Sequence, residues 1–198
     1  MSVTPLPAYP GPAAVRWTLV DFGGTQGGVL GGSSQRVNRL GNRWRCEVAM
    51  PPMPPALARE WAAALSKGLR TGVSWKVREV GTPAGSPGPV LVAGAGQAGF
   101  ALAVDGGTRG HVIKAGKWLS ILTGGRRYLH QTAATLQLSA TGTGTLEIEP
   151  ALRVSPADNS PVEIDIPVIE GLLGDAPSWS LDETRMVRGF SFVIEEIA

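Results

Sequence analysis

VLVAGAGQAGFALAVD, residues 90–105, is the stretch on which the fold turns. Its apolar opening followed by Gly94, Gly96 and Gly99 has the spacing of a dinucleotide-binding fingerprint. That reading demands a helix opening at the glycines and an acidic residue about 20 positions further on. Neither requirement is met. Phe100, Leu102 and Val104 alternate with small residues, which is the period of a strand, and residues 106–146 contain no Asp or Glu. The segment reads as a glycine-rich hairpin, and a nucleotide-binding α/β fold is set aside.

The same alternation recurs on both sides. Downstream, β runs at 100–104, 111–122, 126–138 and 144–149 are separated by glycine-containing turns and describe a small barrel. Upstream, Val15–Phe22 carries Trp17 and Leu19 on one side, and Arg43–Met50 carries Trp44, Cys46 and Val48 on one face. They pair as antiparallel strands across FGGTQGGVLGGSSQ (22–35), a loop too rich in glycine for regular structure; long loops of this kind are commonly there to bind something. PPALAREWAAALSKG (54–68) is the clearest helix: prolines at its start, Leu57, Trp61 and Leu65 on one stripe, and Lys67 and Gly68 as its C-terminal cap. Thr71–Val80 supplies another strand, GTPAGSPGP (81–89) a linker, and residues 1–14 an extended proline-rich arm. Alternation at Ile164, Ile166 and Val168 and the ending FSFVIEEI return the chain to β structure. The expected fold is mainly β: residues 1–85 together with 155–198 form a β-sandwich or split barrel with one packed helix, and 86–154 form an inserted small β-barrel.

Composition agrees with that reading. Among 198 residues, Gly 27 and Pro 16 favour turns and loops over a helical bundle. A net charge of +2, with no run of basic residues, leaves no obvious nucleic-acid footprint. Cys46 stands alone, so no intrachain disulfide staples the fold and a reducing compartment is expected. MSVTPLPAYPGPAAV lacks a basic region followed by an apolar run, and no stretch is apolar for long enough to span a membrane, so a chain used in solution is expected.

Catalytic patterns are weak. His130, in GKWLSILTGGRRYLHQ (116–131), has no carboxylate nearby in sequence to orient it, and His111 belongs to another strand. Ser120 and Ser191 lie outside any nucleophile-elbow pattern. Glu147 and Glu149 share one strand face, the arrangement of a solvated edge rather than of opposed catalytic acids. No enzyme activity, cofactor or metal site is expected. Trp17, Trp44, Trp61 and Trp75 fall at inward positions, whereas Trp179 lies in polar GDAPSWSLDE and suits either a subunit contact or a loop anchor.

Taken in order, RVNRLGNRWRCEVAMPPM (36–53), GKWLSILTGGRRYLHQ (116–131), GTLEIEPALR (144–153) and the terminal GFSFVIEE (189–196) resemble the distal tail protein family of long-tailed bacteriophages, the tail baseplate adaptor. The resemblance covers most of the chain from about residue 15. It implies a tail-tube-like, ring-forming β domain built from 15–50 and 163–197, with the 90–150 barrel as an outward module. The implied partners are five further copies in a homohexamer, a tail tube protein, a baseplate hub protein and, transiently, genomic DNA in the lumen; no membrane is involved. The implied location is the virion tail after assembly in the host cytoplasm. Arg36, Arg39, Arg43, Arg185 and Arg188 lie near the two glycine-containing loops and are expected to face the lumen or to pair between subunits with Asp182, Glu183 or Glu195, with Trp179 as a contact residue. The alternatives are another tail component such as a tube, completion or terminator protein, a host-surface glycan-binding module using Trp118 and Tyr128, and a small hydrolase using His130 and Glu147.

Overall fold

The computed structural model describes residues 3–27, 31–79, 81, 85–183 and 185–197. In chain order its first elements are β1 (Thr4–Pro5), β2 (Ala14–Val20), β3 (Gly24–Gln26), β4 (Gln35–Val37), β5 (Arg43–Ala49), α1 (Pro55–Thr71) and β6 (Val73–Lys76). There follow β7 (Leu91–Val92), β8 (Gly99–Asp105), β9 (Val112–Ile113), β10 (Trp118–Thr123), β11 (Arg126–Thr132), β12 (Leu136–Gln137), β13 (Gly144–Leu152) and β14 (Val162–Glu163). The chain closes with β15 (Val168–Leu173), β16 (Ser178–Leu181) and β17 (Val187–Glu196).

The fold is mainly β, with one packed helix and a nearly closed antiparallel barrel. A seven-stranded sheet has the order β1-β6-β15-β17-β5-β2, with β16 also paired to β17. Strict alternation builds its central strands. Trp44, Cys46 and Val48 of β5 and Phe190, Phe192 and Ile194 of β17 are buried, while Arg45, Glu47 and Ser191 point the other way. The α1 stripe packs Trp61 against Phe192, with ring centroids 5.7 Å apart. Val73, Trp75 and Ile169 complete this core.

Helix α1 runs further than expected. Gly68 does not cap it; it is buried inside the helix, which ends at Gly72, whose φ is 76°. The reason is packing. A Cβ at Gly68 would meet the Val73 side chain and lie 3.3 Å from Leu173, so the glycine lets the last turn sit close against β6 and β15.

The barrel sheet has the order β14-β10-β11-β13-β8-β7. Backbone bonds from Val162 to Val90 (2.9 Å) and from Val92 to Ser160 (3.0 Å) bring its ends together. Its filling is aliphatic, with Leu102, Val104, Leu119, Ile121, Leu146 and Ile148 all buried. The 90–105 stretch is the β7–β8 hairpin, and no helix follows its glycines. Gln97 ties the turn down, donating to the Ala93 carbonyl at 2.9 Å and accepting from the Ala103 N–H at 2.6 Å. β14 and Ile164 pack with the barrel, so the chain rejoins the large sheet only at Val168, later than the expected position 155. Residues 82–84 of the expected linker, Val80 at the end of the expected strand, and 28–30 of the glycine-rich loop lie outside the described residues.

Candidate assembly surfaces

The large sheet is open. β2 is its outermost strand on one side, and among the described residues no strand pairs with its far edge or with the far edge of β16. Unpaired strand edges offer rows of N–H and C=O groups to another chain. Two hairpins stand beyond the strand ends of the sheet. β3 and β4 form a separate two-stranded ribbon, Gly24 pairing with Val37, in the connection from Val20 of β2 to Arg43 of β5. Pairing of Leu181 with Val187 extends β17 past the opposite end of β5, where Ser191 pairs with Ala49. The hairpins therefore project from opposite ends of one sheet. Between β15 and β16 the register against β17 slips, and residues 174–177 bulge beside a groove of about 590 Å³ floored by Ala14, Ala49 and Ser191.

The sequence-selected residues divide between these hairpins. Arg36 pairs with Asp21 beside β3–β4, and Arg39 is exposed. Arg43 donates to Glu195 at 2.7 Å and 2.9 Å within the chain, and its guanidinium lies 4.8 Å from the Phe22 ring centroid. In the second hairpin Arg188 pairs with Asp182, which also accepts from the Met186 N–H at 2.9 Å, while Glu183 and Arg185 are exposed. Arg43–Glu195 and Arg188–Asp182 are thus intrachain pairs, close in the fold because β5 and β17 are neighbours and because the 182–188 turn folds back. Trp179 stacks on Phe190 at 5.5 Å and remains 47 % exposed; with Pro55, Ala58, Arg59, Leu181 and Val187 it lines a cleft of about 230 Å³.

Sequence reasoning missed the joint between sheet and barrel. Trp118 is buried, not displayed on the barrel: its ring packs 4.5 Å from Trp17 and 4.7 Å from Trp44. Tyr128 is half-buried beneath Arg153. The two aromatics that the glycan-binding alternative relied on do not form one exposed cluster: Trp118 shares with Leu129 the face of β10 and β11 that docks on the large sheet, whereas Tyr128 lies on the opposite face, across from Ile121. Three carboxylates from the large-sheet side each take a cation and an N–H from the barrel side. Glu79 pairs with Lys117 and accepts from the Trp118 N–H at 2.8 Å. Glu170 accepts from the Arg127 guanidinium at 2.9 Å and from its N–H at 3.1 Å. Glu196 accepts from Arg153 at 2.9 Å, the Leu129 N–H at 2.8 Å and the Trp44 N–H at 2.9 Å. Burial pushes the Glu196 carboxyl above its usual range, and Arg153 with the two N–H groups opposes that rise. The only foreshadowing in sequence was an acidic residue at an alternation position that points inward.

His130 is buried, and its Nδ1 donates to the Pro150 carbonyl at 2.8 Å. Burial drives its pKa down to about 4, against the pull of that hydrogen bond, so the imidazole is neutral at pH 7. Glu147 is exposed on β13, and His130 is not presented to a pocket with it. Burial also pushes the Cys46 thiol up, out of the range of reactive cysteines. Among the described residues no group of three or more His, Cys, Asp or Glu is placed to hold a metal ion, and no helix is long and apolar enough to cross a membrane. Compared with known proteins, the sequence matches no family model and no curated protein.

Proposed function

We propose that the protein is a structural, non-enzymatic component of a bacteriophage tail, built on a tail-tube-like sheet that joins others in a ring between tail tube and baseplate hub. The observation that carries this reading is the open sheet, whose edges at β2 and β16 have no partner among the described residues, with hairpins at opposite ends. A head-to-tail interface closes a ring when its rotation closes, and backbone pairing between two free edges supplies such an interface without requiring a particular side-chain pocket. The hairpins then face the neighbours above and below. Transient contact with DNA in the lumen falls to the exposed arginines near the sheet ends. A host-surface glycan module is the second reading, but the burial of Trp118 takes away one of its two aromatic candidates.

Negative-stain electron microscopy of the purified protein, with mass followed by light scattering over a concentration series, tests this directly. Six-membered rings with an open centre are expected. A monomer at every concentration, both alone and after mixing with tail tube protein, would reject it.

A further inference from the structure

We infer that the pocket between the proline-rich arm and β6 binds an amphipathic anion, an aliphatic chain ending in a carboxylate. The site is separate from the β2 and β16 edges given to assembly, and it does not depend on ring formation.

The arm leaves the sheet early. β1 lies parallel to β6, and just beyond it the Leu6 N–H still donates to the Ser74 carbonyl at 2.9 Å. Past Leu6, no backbone hydrogen bond among the described residues joins the arm to Lys76, Val77 or Arg78, and the Val77 N–H turns the other way, to the Pro167 carbonyl at 2.8 Å. Four prolines line the arm's side of the gap, and proline has no N–H with which to continue the ladder. What remains is a pocket of about 450 Å³, within the size range of small-molecule sites. Leu6, Trp75, Val77 and the exposed Ile166 give it apolar walls.

Three charged side chains line it: Lys76, Arg78 and Asp165, all exposed and none in an ion pair among the described residues. The balance is positive. Lys76 and Arg78 are two residues apart, a spacing that turns both side chains to one side of an extended chain. Gly11 seats the second of them, since the Arg78 guanidinium lies against the arm where a Cβ at Gly11 would stand. The pocket therefore sets an ammonium and a placed fork of N–H donors beside apolar walls, and a carboxylate on an apolar chain answers both. A neutral chain would leave the two cations unanswered. Asp165 opposes an anionic ligand, so its removal provides a test of opposite sign.

Titration calorimetry with sodium octanoate, against octanol and octylammonium as neutral and cationic chains of the same length, tests the site. Octanoate is expected to bind saturably at one site per chain and more tightly than either control. Reversing both cations, Lys76→Glu with Arg78→Glu, removes two charge-assisted contacts and should weaken octanoate by about tenfold or more while strengthening octylammonium. Gly11→Ala keeps every charge but displaces the guanidinium, and should weaken octanoate alone; Asp165→Asn should tighten it. Circular dichroism melting checks that each variant folds, and the charge reversal at two exposed positions decides the matter if Gly11→Ala loosens the arm. Absence of saturable octanoate binding, octanol binding as tightly as octanoate, or octanoate binding that survives the charge reversal overturns the inference.

Discussion

His130 shows how burial converts a reactive-looking residue into a structural one. Its folded pKa of about 4 lies below the ordinary value of 6.5, so the unfolded chain binds a proton more readily. Its contribution to stability is therefore complete above pH 6.5 and is lost as pH falls toward 4. Urea unfolding from pH 4 to 7 should show stability rising with pH. Glu196, raised by burial, titrates with the opposite sign, so the slope is isolated by comparison with His130→Gln, in which the His130 part disappears. Equal pH dependence in the two proteins would contradict the assignment. The alternation in RRYLHQT placed His130 and Leu129 on opposite faces, and the structure buries one face in the barrel and the other against the large sheet. Sequence could not tell that both faces are covered, because that depends on docking between segments far apart in the chain.

Helix α1 carries the clearest conflict between local preference and packing. In an exposed helix, replacing Gly by Ala gains about 1 kcal/mol. At Gly68 the added methyl would be forced into Val73 and against Leu173, and overpacking of this kind costs about 1–3 kcal/mol. Gly68→Ala should lower the thermal midpoint, and a rise would show that β6 yields more easily than its burial implies. The helix itself, its Trp61 stripe and the pairing of β2 with β5 were legible from periodicity alone. Its end was not, because glycine followed by Leu-Arg-Thr-Gly offers two stops, and only contact with β6 selects the second. The strand edges make a further prediction at this scale. Lysine at Thr18, on exposed β2, should leave the monomer folded while reducing ring formation, since a charged edge opposes strand addition. Undiminished rings by electron microscopy would place the interface elsewhere.

At the scale of the whole molecule, the decisive feature is the joint. Carboxylates come from the large-sheet side at Glu79, Glu170 and Glu196, and cations from the barrel side at Lys117, Arg127 and Arg153, around the packed rings of Trp17, Trp44 and Trp118. Sequence made the two hydrophobic patterns visible but gave no sign of this matching, since each partner lies 38 to 43 residues from the other. The ion pairs and the ring cluster have different energetic roles. A buried ion pair adds little over a well-packed apolar substitute, yet removing one partner strands the other at a cost of about 3–5 kcal/mol. Glu196→Ala leaves Arg153 and the Leu129 and Trp44 N–H groups without this acceptor, so a loss of that size is expected in urea. The form of the transition matters more than its midpoint. All six tryptophans lie in the large-sheet part or at the joint, while far-ultraviolet circular dichroism reads the barrel as well. If the joint binds the two cores into one cooperative unit, fluorescence and dichroism unfold together in the native protein and separate in Glu196→Ala. Separate transitions in the native protein would mean that the barrel is held independently, and that load on the sheet need not reach it. Coincident transitions in both proteins would show that Glu196 is dispensable for the coupling, which then rests on the Trp17–Trp44–Trp118 cluster and the Glu79–Lys117 and Glu170–Arg127 pairs.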